Sequence, residues 1–448
     1  MQAAKQYIDL FTQHEDAVRN HSTDGMNRHR TQAFEFFRKT GFPSKEDENY
    51  RYTDVRRMFD LDYGLNLNRL SIPVNPNEVF RCDVPNLSAS LYFLINDTFY
   101  ASNNSGSNLP EGVFAGSLKA FMEQYPATAS RYYAKAASPE SDSVTALNTM
   151  FVQDGFVLYV PQGVKVERPV QLVQIFRSDV DLMANRRILI ILEAHASAKM
   201  LICDHSMDDV KFLGTQVVEL FAEENATLDY YDLEESSMAT TRFSSVFVEQ
   251  AASSNVLING ITLNNGITRN NYHIHLNGEH AVSTLCGMAI LDQNQKVDTY
   301  SHITHSVPYC TSNELFKNVL GDHSTAVFNG RILVKEGADK TVAYQTNRNL
   351  CTTRDAKTYS QPQLEIYADD VKCSHGMTMG QLDEQALFYM RTRGLSYDEA
   401  RRMLSIAFTA EVIEYVRLDS LKDRLNQLVE KRFRGELARC AGCRICKV

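Results

Sequence analysis

No apolar run in this chain is long enough to cross a bilayer. The strongest, Ile188-Leu189-Ile190-Ile191-Leu192, falls far short of the roughly 20 residues that a spanning helix needs. The N-terminus, Met1-Gln2-Ala3-Ala4-Lys5, lacks the apolar core of a secretory signal, so a cytoplasmic protein is expected. There is no basic stripe: the net charge is −9 and the two signs are interleaved, which argues against nucleic-acid binding. Nine cysteines over 448 residues do not have the density of a disulfide framework; in a reducing compartment they read as thiols or metal ligands. No Walker-A loop, G-x-S-x-G elbow or H-E-x-x-H motif occurs. Standard nucleotide, serine-hydrolase and metalloprotease sites are therefore unsupported.

What is present is a large apolar fraction, 44%, in a chain longer than one ordinary core sustains. Either several domains or one elongated repetitive core must hold it. Residues 1–80 begin with helical spacing of Tyr7, Leu10, Phe11, Phe34, Phe36 and Phe37, broken by Gly41-Phe42-Pro43. Residues 81–380 read as short Val-, Ile- and Phe-rich strands separated by Gly, Asn or Asp. A small residue followed by an apolar strand returns at Ala198, Ala226, Ser254 and Val282-Ser283, a spacing close to 28 residues that suggests stacked coils of a β-solenoid. A sandwich of short strands is the alternative. Residues 381–448 return to helical period: Gly394 ends one helix, Ser396-Tyr397-Asp398-Glu399 has the form of a capping box, and Leu421, Leu425, Leu428 and Phe433 mark the last helix.

The segment with most chemistry is Cys373-Ser374-His375-Gly376. On a strand, Cys373 and His375 share a face because side chains alternate. A thiolate beside an imidazole suits iron or zinc, and Asp369 and Asp370 lie close in sequence. Two ligands do not close a site, so a metal would need further donors from elsewhere or from a second chain. From spacing alone a buried Cys and a hydrogen-bonded His are the commoner arrangement. The tail Cys440-Ala441-Gly442-Cys443-Arg444-Ile445-Cys446 has the C-x2-C-x2-C spacing of a partial iron–sulfur or zinc site without its fourth ligand. The alternative is a frayed terminus. His273 and His275 share a strand face, with His280 nearby; His302 and His305 flank another strand, followed by Cys310. These read chiefly as wall residues of a solenoid, and Cys82, Cys203, Cys286 and Cys351 as small core residues.

Residues Leu364 to Gly394 resemble the signature of the SufB/SufD family, L-E-I-x-A-D-D-V-x-C-x-H followed by G-x-L-D, L-F-Y and R-G. Further blocks are similar in the same order: Glu48 to Asp54, Arg269-Asn270-Asn271, Leu276 to His280, Ser312 to Lys317, Val327 to Gly330, and Gln345 to Leu350. Gly376 and the chain length resemble the SufD branch, not the Cys-x-His-Glu-Ala of the SufB branch. The resemblance implies a mainly β protein, a right-handed parallel β-helix between helical ends. It implies a heterodimer with a SufB-like subunit and a SufC-type ABC ATPase held by the C-terminal helices, with a homodimer as the alternative when the chain is alone. It implies that His375 faces the SufB-like subunit and supports iron entry or cluster formation, with Cys373 beside it, the iron or cluster being transient there. It further implies that the chain is not an enzyme, ATP chemistry belonging to SufC. Met377 stands where Ala is usual, Asn318 where Gly is, and Tyr50 where Trp is common. Two rival readings differ in class. A carbohydrate-active β-helix needs converging acids, and adjacent Asp369 and Asp370 would point to opposite faces. A self-sufficient metalloprotein would use Cys440, Cys443 and Cys446.

Overall fold

The computed structural model describes residues 2–70, 74, 89–100 and 109–436. Among these residues are nineteen strands: β1 (Ser90–Ile95), β2 (Thr98–Tyr100), β3 (Phe114–Ser117), β4 (Phe156–Val160), β5 (Val170–Phe176), β6 (Leu182–Leu192), β7 (Ser197–Ser206), β8 (Phe212–Ala222), β9 (Thr227–Glu235), β10 (Thr240–Gln250), β11 (Asn255–Asn264), β12 (Ile267–Leu276), β13 (Val282–Leu291), β14 (Lys296–His305), β15 (Thr311–Leu320), β16 (Thr325–Val334), β17 (Val342–Cys351), β18 (Lys357–Ile366) and β19 (Lys372–Gly380). They form two sheets, one ordered β19-β17-β15-β13-β11-β9-β7-β5-β1-β2 and the other β18-β16-β14-β12-β10-β8-β6-β4-β3. From β4 onward, strands consecutive in sequence lie in opposite sheets, and each pairs with the next but one. Apart from β1 with β2 and β3 with β4, every pairing is parallel. This is a parallel β-solenoid of about eight turns, and the parallel ladder excludes the sandwich. From β4 (Phe156–Val160) onward, one turn uses between 26 residues, Thr241 to Ile267, and 32, Phe156 to Ile188.

The repeat seen in the sequence lies near one corner, where Ala226 and Ser254 are equivalent while Ala198 and Val282-Ser283 stand one or two residues further on, in strands. Gly163, His195, Asn225, Ser253, His280, Tyr309 and Lys340 all have positive φ. The His195 N–H donates to the Glu224 carbonyl at 2.8 Å, Asn225 to Ala252 at 2.9 Å and Tyr309 to Asp339 at 2.9 Å. Left-handed backbone costs a residue with a Cβ about 1 kcal/mol, offset here by a hydrogen bond to the next turn. Directly after six of the seven stands a small buried residue: Ala196, Ala226, Ser254, Ala281, Cys310 or Thr341. Cys310 is therefore a corner filler.

Alternate residues of each strand face inward and stack in columns, one residue per turn. The column Val170, Met200, Tyr230, Ile258, Leu285, Glu314, Gln345, His375 runs from β5 to β19, through eight of the sheet's ten strands. It begins apolar, in the continuous interior core, and turns polar in its last three positions.

Helices cover the outer faces. On the nine-stranded sheet, Tyr7, Phe11 and Phe37 pack with Met183, Leu213 and Phe243. Between β3 and β4, within the span 81–380, lie three further helices, Leu118–Gln124, Pro126–Tyr132 and Ser143–Phe151. Ser143–Phe151 is buried from Val144 to its end, its polar residues Thr145, Asn148 and Thr149 included, so it presents no exposed stripe. On the ten-stranded sheet, Val412, Ile413, Leu421, Leu425 and Leu428 cover Leu201, Cys203, Tyr231, Leu257 and Cys286. Gly394 (φ +92°) follows the helix Glu384–Thr392, and Ser396 Oγ accepts the Glu399 N–H at 3.1 Å, as the capping pattern requires. No helix among the described residues is long and apolar enough to cross a membrane.

Two blocks far apart in sequence meet at the outer wall. The Arg269 guanidinium lies 4.7 Å from the Tyr50 ring, donates to Asn271 at 2.8 Å and pairs with Asp298 at 2.7 Å, while Thr53 hydroxyl donates to Asp298. Tyr52 stacks on Tyr359 with centroids 4.3 Å apart, so residues 50–53 reach the last turn. Asp298→Ala would leave Arg269 buried without its counter-charge. A loss of about 3–5 kcal/mol is expected in guanidinium chloride unfolding, partly recovered by adding Arg269→Met.

Candidate functional site at the open end of the solenoid

Strands β18 (Lys357–Ile366) and β19 (Lys372–Gly380) end the two sheets. Each pairs along one edge only, β18 with β16 and β19 with β17. With no further turn stacked on them, residues that would be interior elsewhere stand exposed. Cys373 and His375 sit in register with Ala343 and Gln345, both buried. They share one face, as the period-two argument requires, and it is the inward face.

Cys373 is half-buried against the end of the core, beside Leu364, Ala368 and Val371. Burial pushes its thiol up from the usual range, opposed by a hydrogen bond from the Ala343 backbone. His375 is exposed. Asp369 and Asp370 occupy the corner before β19; Asp370 pairs with Lys340, and its carbonyl accepts the Lys340 N–H. The two acids do not join Cys373 and His375. Among the described residues, no three His, Cys, Asp or Glu side chains are grouped to hold a metal; the thiol and imidazole at this end are a two-donor arrangement.

Directly behind His375 are two residues not singled out from sequence. Gln345 donates from Nε2 to Glu314 Oε2 at 2.7 Å, and both are buried. Burial pushes Glu314 up to about 7, opposed by the hydrogen bond from Gln345. Gly330 makes room for the amide: a Cβ there would overlap Gln345 Nε2 and the Phe328 ring. The signal was available, since 314, 345 and 375 are separated by the length of one turn.

The other candidate histidines lie in the strands and corners of the solenoid. His273 lies in β12 (Ile267–Leu276), stacked on Phe247 at 4.7 Å and in register with His302 of β14 (Lys296–His305). Burial pushes His273 down to about 3 and His302 to about 4. His305, three residues on, points inward and lies 2.9 Å from Ser312 Oγ. His275 pairs with Glu249 at 2.8 Å, and His280 stacks on Tyr309. Cys203 and Cys286 lie under the C-terminal helices, and Cys351 in a small cluster with Leu320. Cys82, Cys440, Cys443 and Cys446 lie outside the described residues.

Comparison with known proteins adds family evidence. The family model for the SufBD core domain of the SUF system of iron–sulfur cluster assembly matches residues 175–408, and that for the SufBD N-terminal region matches residues 1–172. An iron–sulfur cluster assembly SufBD family protein of Synechocystis is 28% identical over 404 residues, 87% of each chain. Protein ABCI7, chloroplastic, of Arabidopsis thaliana is 29% identical over 416 residues, 90% of this chain and 86% of that one. The SufD protein of Escherichia coli is 32% identical over 246 residues, 54% of this chain and 58% of that one.

Two predictions follow from the titrating groups. Because the Cys373 thiol is raised, its alkylation by iodoacetamide should be slower than that of free cysteine at pH 8 and should still be rising above pH 9, read by peptide mass spectrometry. Glu314 binds its proton more tightly folded, at about 7, than at its ordinary 4.5. Its stabilisation is complete below the lower value and is lost as pH rises through the upper one. This group should contribute a fall of up to about 3 kcal/mol across that window. Glu314→Gln should flatten the measured stability–pH curve there, leaving the slope due to Glu234, which burial also raises to about 7.

Proposed function

The chain belongs to the SufB/SufD family of iron–sulfur cluster assembly proteins, and from that premise we propose that it is a SufD-type subunit working with a SufB-like subunit and a SufC-type ATPase in the cytoplasm. Its part is not enzymatic. It shapes an interface at which iron arrives or a cluster forms, with Cys373 and His375 as one half of the donor set. The ATPase supplies the motion.

The observation that carries this reading is the open end of the solenoid. Two unpaired strand edges side by side are a template for pairing with another chain, and nothing in the described residues covers them. Tyr367 and Met379 stand about two-thirds exposed there, with Ile366 and Met377 partly so. Gly376 adds a detail. Its φ is not positive and a Cβ would meet nothing within 4 Å, so this chain's own fold makes no demand for glycine there. Close approach of a partner's backbone supplies one. A soft thiolate and an imidazole suit iron, and two donors hold it loosely enough to pass it on. The C-terminal helices present Phe388, Tyr389, Tyr397 and Met403 to solvent, an aromatic surface on which the ATPase would dock.

Co-expression with SufB-like and SufC-type partners tests this. The complex should assemble with His375→Ala, but anaerobic iron or cluster loading should fall roughly tenfold or more; unchanged loading removes His375 from the mechanism. Gly376→Val should weaken assembly while leaving the melting temperature of the isolated chain unchanged. Light scattering on the isolated chain decides whether the same edge forms a homodimer.

A further inference from the structure

The polar end of the inward column has an unused acceptor beside an unused donor. Gln345 is buried, its Nε2 is committed to Glu314, and its Oε1 has no hydrogen-bond partner. A buried carbonyl oxygen without a partner is costly and calls for an explanation. Glu314 also decides which end of the amide faces it. The ionised carboxylate only accepts, so it takes the NH2 group and leaves Oε1 as the end available to the next turn. Gly330 holds the same arrangement from the other sheet, since any side chain there would displace the amide. The residue after Gln345 in the column is His375, one strand spacing away, about 4.8 Å. Its exposed imidazole has no hydrogen-bond or ion-pair partner among the described residues.

We propose that Gln345 is a positioning residue for His375: its Oε1 accepts the hydrogen of one imidazole nitrogen, fixing the tautomer and turning the other nitrogen out of the open end toward a metal. Metal-binding imidazoles are commonly held in this way through their second nitrogen, by a carbonyl or carboxylate. Here the holder is a side-chain amide, itself oriented by a buried carboxyl one turn further in. The Glu314, Gly330, Gln345 and His375 segments are remote in sequence and adjacent only because the turns stack in register. The inference rests on His375 as an iron-binding half-site for its purpose, but not for its geometry.

The test uses the full chain in complex with its SufB-like and SufC-type partners, labelled with 15N-histidine, His375 being assigned by loss of its signals in His375→Ala. Zn(II) serves as the diamagnetic probe. In the wild type, the His375 nitrogen shifts should report a single tautomer. Gln345→Met, of similar volume without the acceptor, should give mixed tautomers and about tenfold weaker Zn(II) binding, with a lower thermal unfolding midpoint because Glu314 also loses its donor. The exchange variant Glu314→Gln with Gln345→Glu keeps the internal hydrogen bond and returns an acceptor beside His375, so it should restore the single tautomer. Gly330→Ala, which displaces the amide without removing it, should disturb the tautomer as Gln345→Met does, and it serves should that variant not fold. Identical His375 nitrogen shifts in the wild type and in the Gln345→Met and Gly330→Ala variants overturn the proposal. If the tautomer responds as expected but His375→Ala binds Zn(II) as well as the wild type, Gln345 positions the imidazole and the metal reading of His375 fails instead.

Discussion

Coil-to-coil register is the constraint from which the rest of the structure follows. Each inward side chain rests on its counterpart one turn earlier and supports the next, so the interior is a set of columns with little freedom of composition within any one of them. Differences in turn length, from 26 to 32 residues, are absorbed in the corners, where they leave the columns unchanged. A one-residue slip would bring the outward row into the core. The seven left-handed corner residues and the small buried residue after six of them make the corner bend at the same place on successive turns.

Apolar columns alone would not forbid a slip by a whole turn, and buried charges do. In the middle of the interior, Arg186 pairs with Asp204 at 2.7 Å and contacts Gln174 at 2.8 Å, while Arg242 reaches Asp204 at 3.1 Å and Asp232 at 2.5 Å. Thr268 donates to Glu234 at 2.9 Å in the same cluster. On the outer wall, Arg187 meets Glu219 at 2.6 Å and Arg269 meets Asp298. Such pairs add little net stability, because desolvation offsets the attraction. Their effect is on alternatives: a misregistered turn leaves a charge buried alone, at roughly 3–5 kcal/mol. These charges select one stacking among many of similar hydrophobic content.

This also explains what the sequence could and could not disclose. Corner chemistry is local, so the near-28-residue theme and the caps at Gly394 and Ser396 were legible. The shared face of Cys373 and His375 was legible too, because parity needs only a strand. Which face was inward was not, since the last turn has no successor to bury it and reads as polar as any surface strand. Glu314 and Gln345 were missed for a related reason. A polar residue in a strand is ordinarily assigned outward, and only the column reveals that these two close the interior. The helix Ser143–Phe151 has no exposed stripe, and the meeting of Tyr50 with Arg269 depends on a chain path that no local pattern encodes.

The terminal turn is where the folding rule and the proposed function make opposite demands. Stacking favours another turn above β18 and β19; each turn before them gains its burial in that way. Charges and proline protect an edge from association, and β18 has Lys357, Pro362 and Glu365, whereas the second half of β19 carries Gly376, Met377 and Met379. On the reading proposed above, the missing turn is supplied by a partner, and the column that ends in Glu314, Gln345 and His375 then opens onto the contact. An ion held there would have two donors from this chain and the rest from the other. Neither subunit alone would bind it tightly, and separating them would release it. For a resident cofactor that is a defect. For cargo that must be gathered, assembled and handed on, an incomplete site at a separable interface is what the task requires.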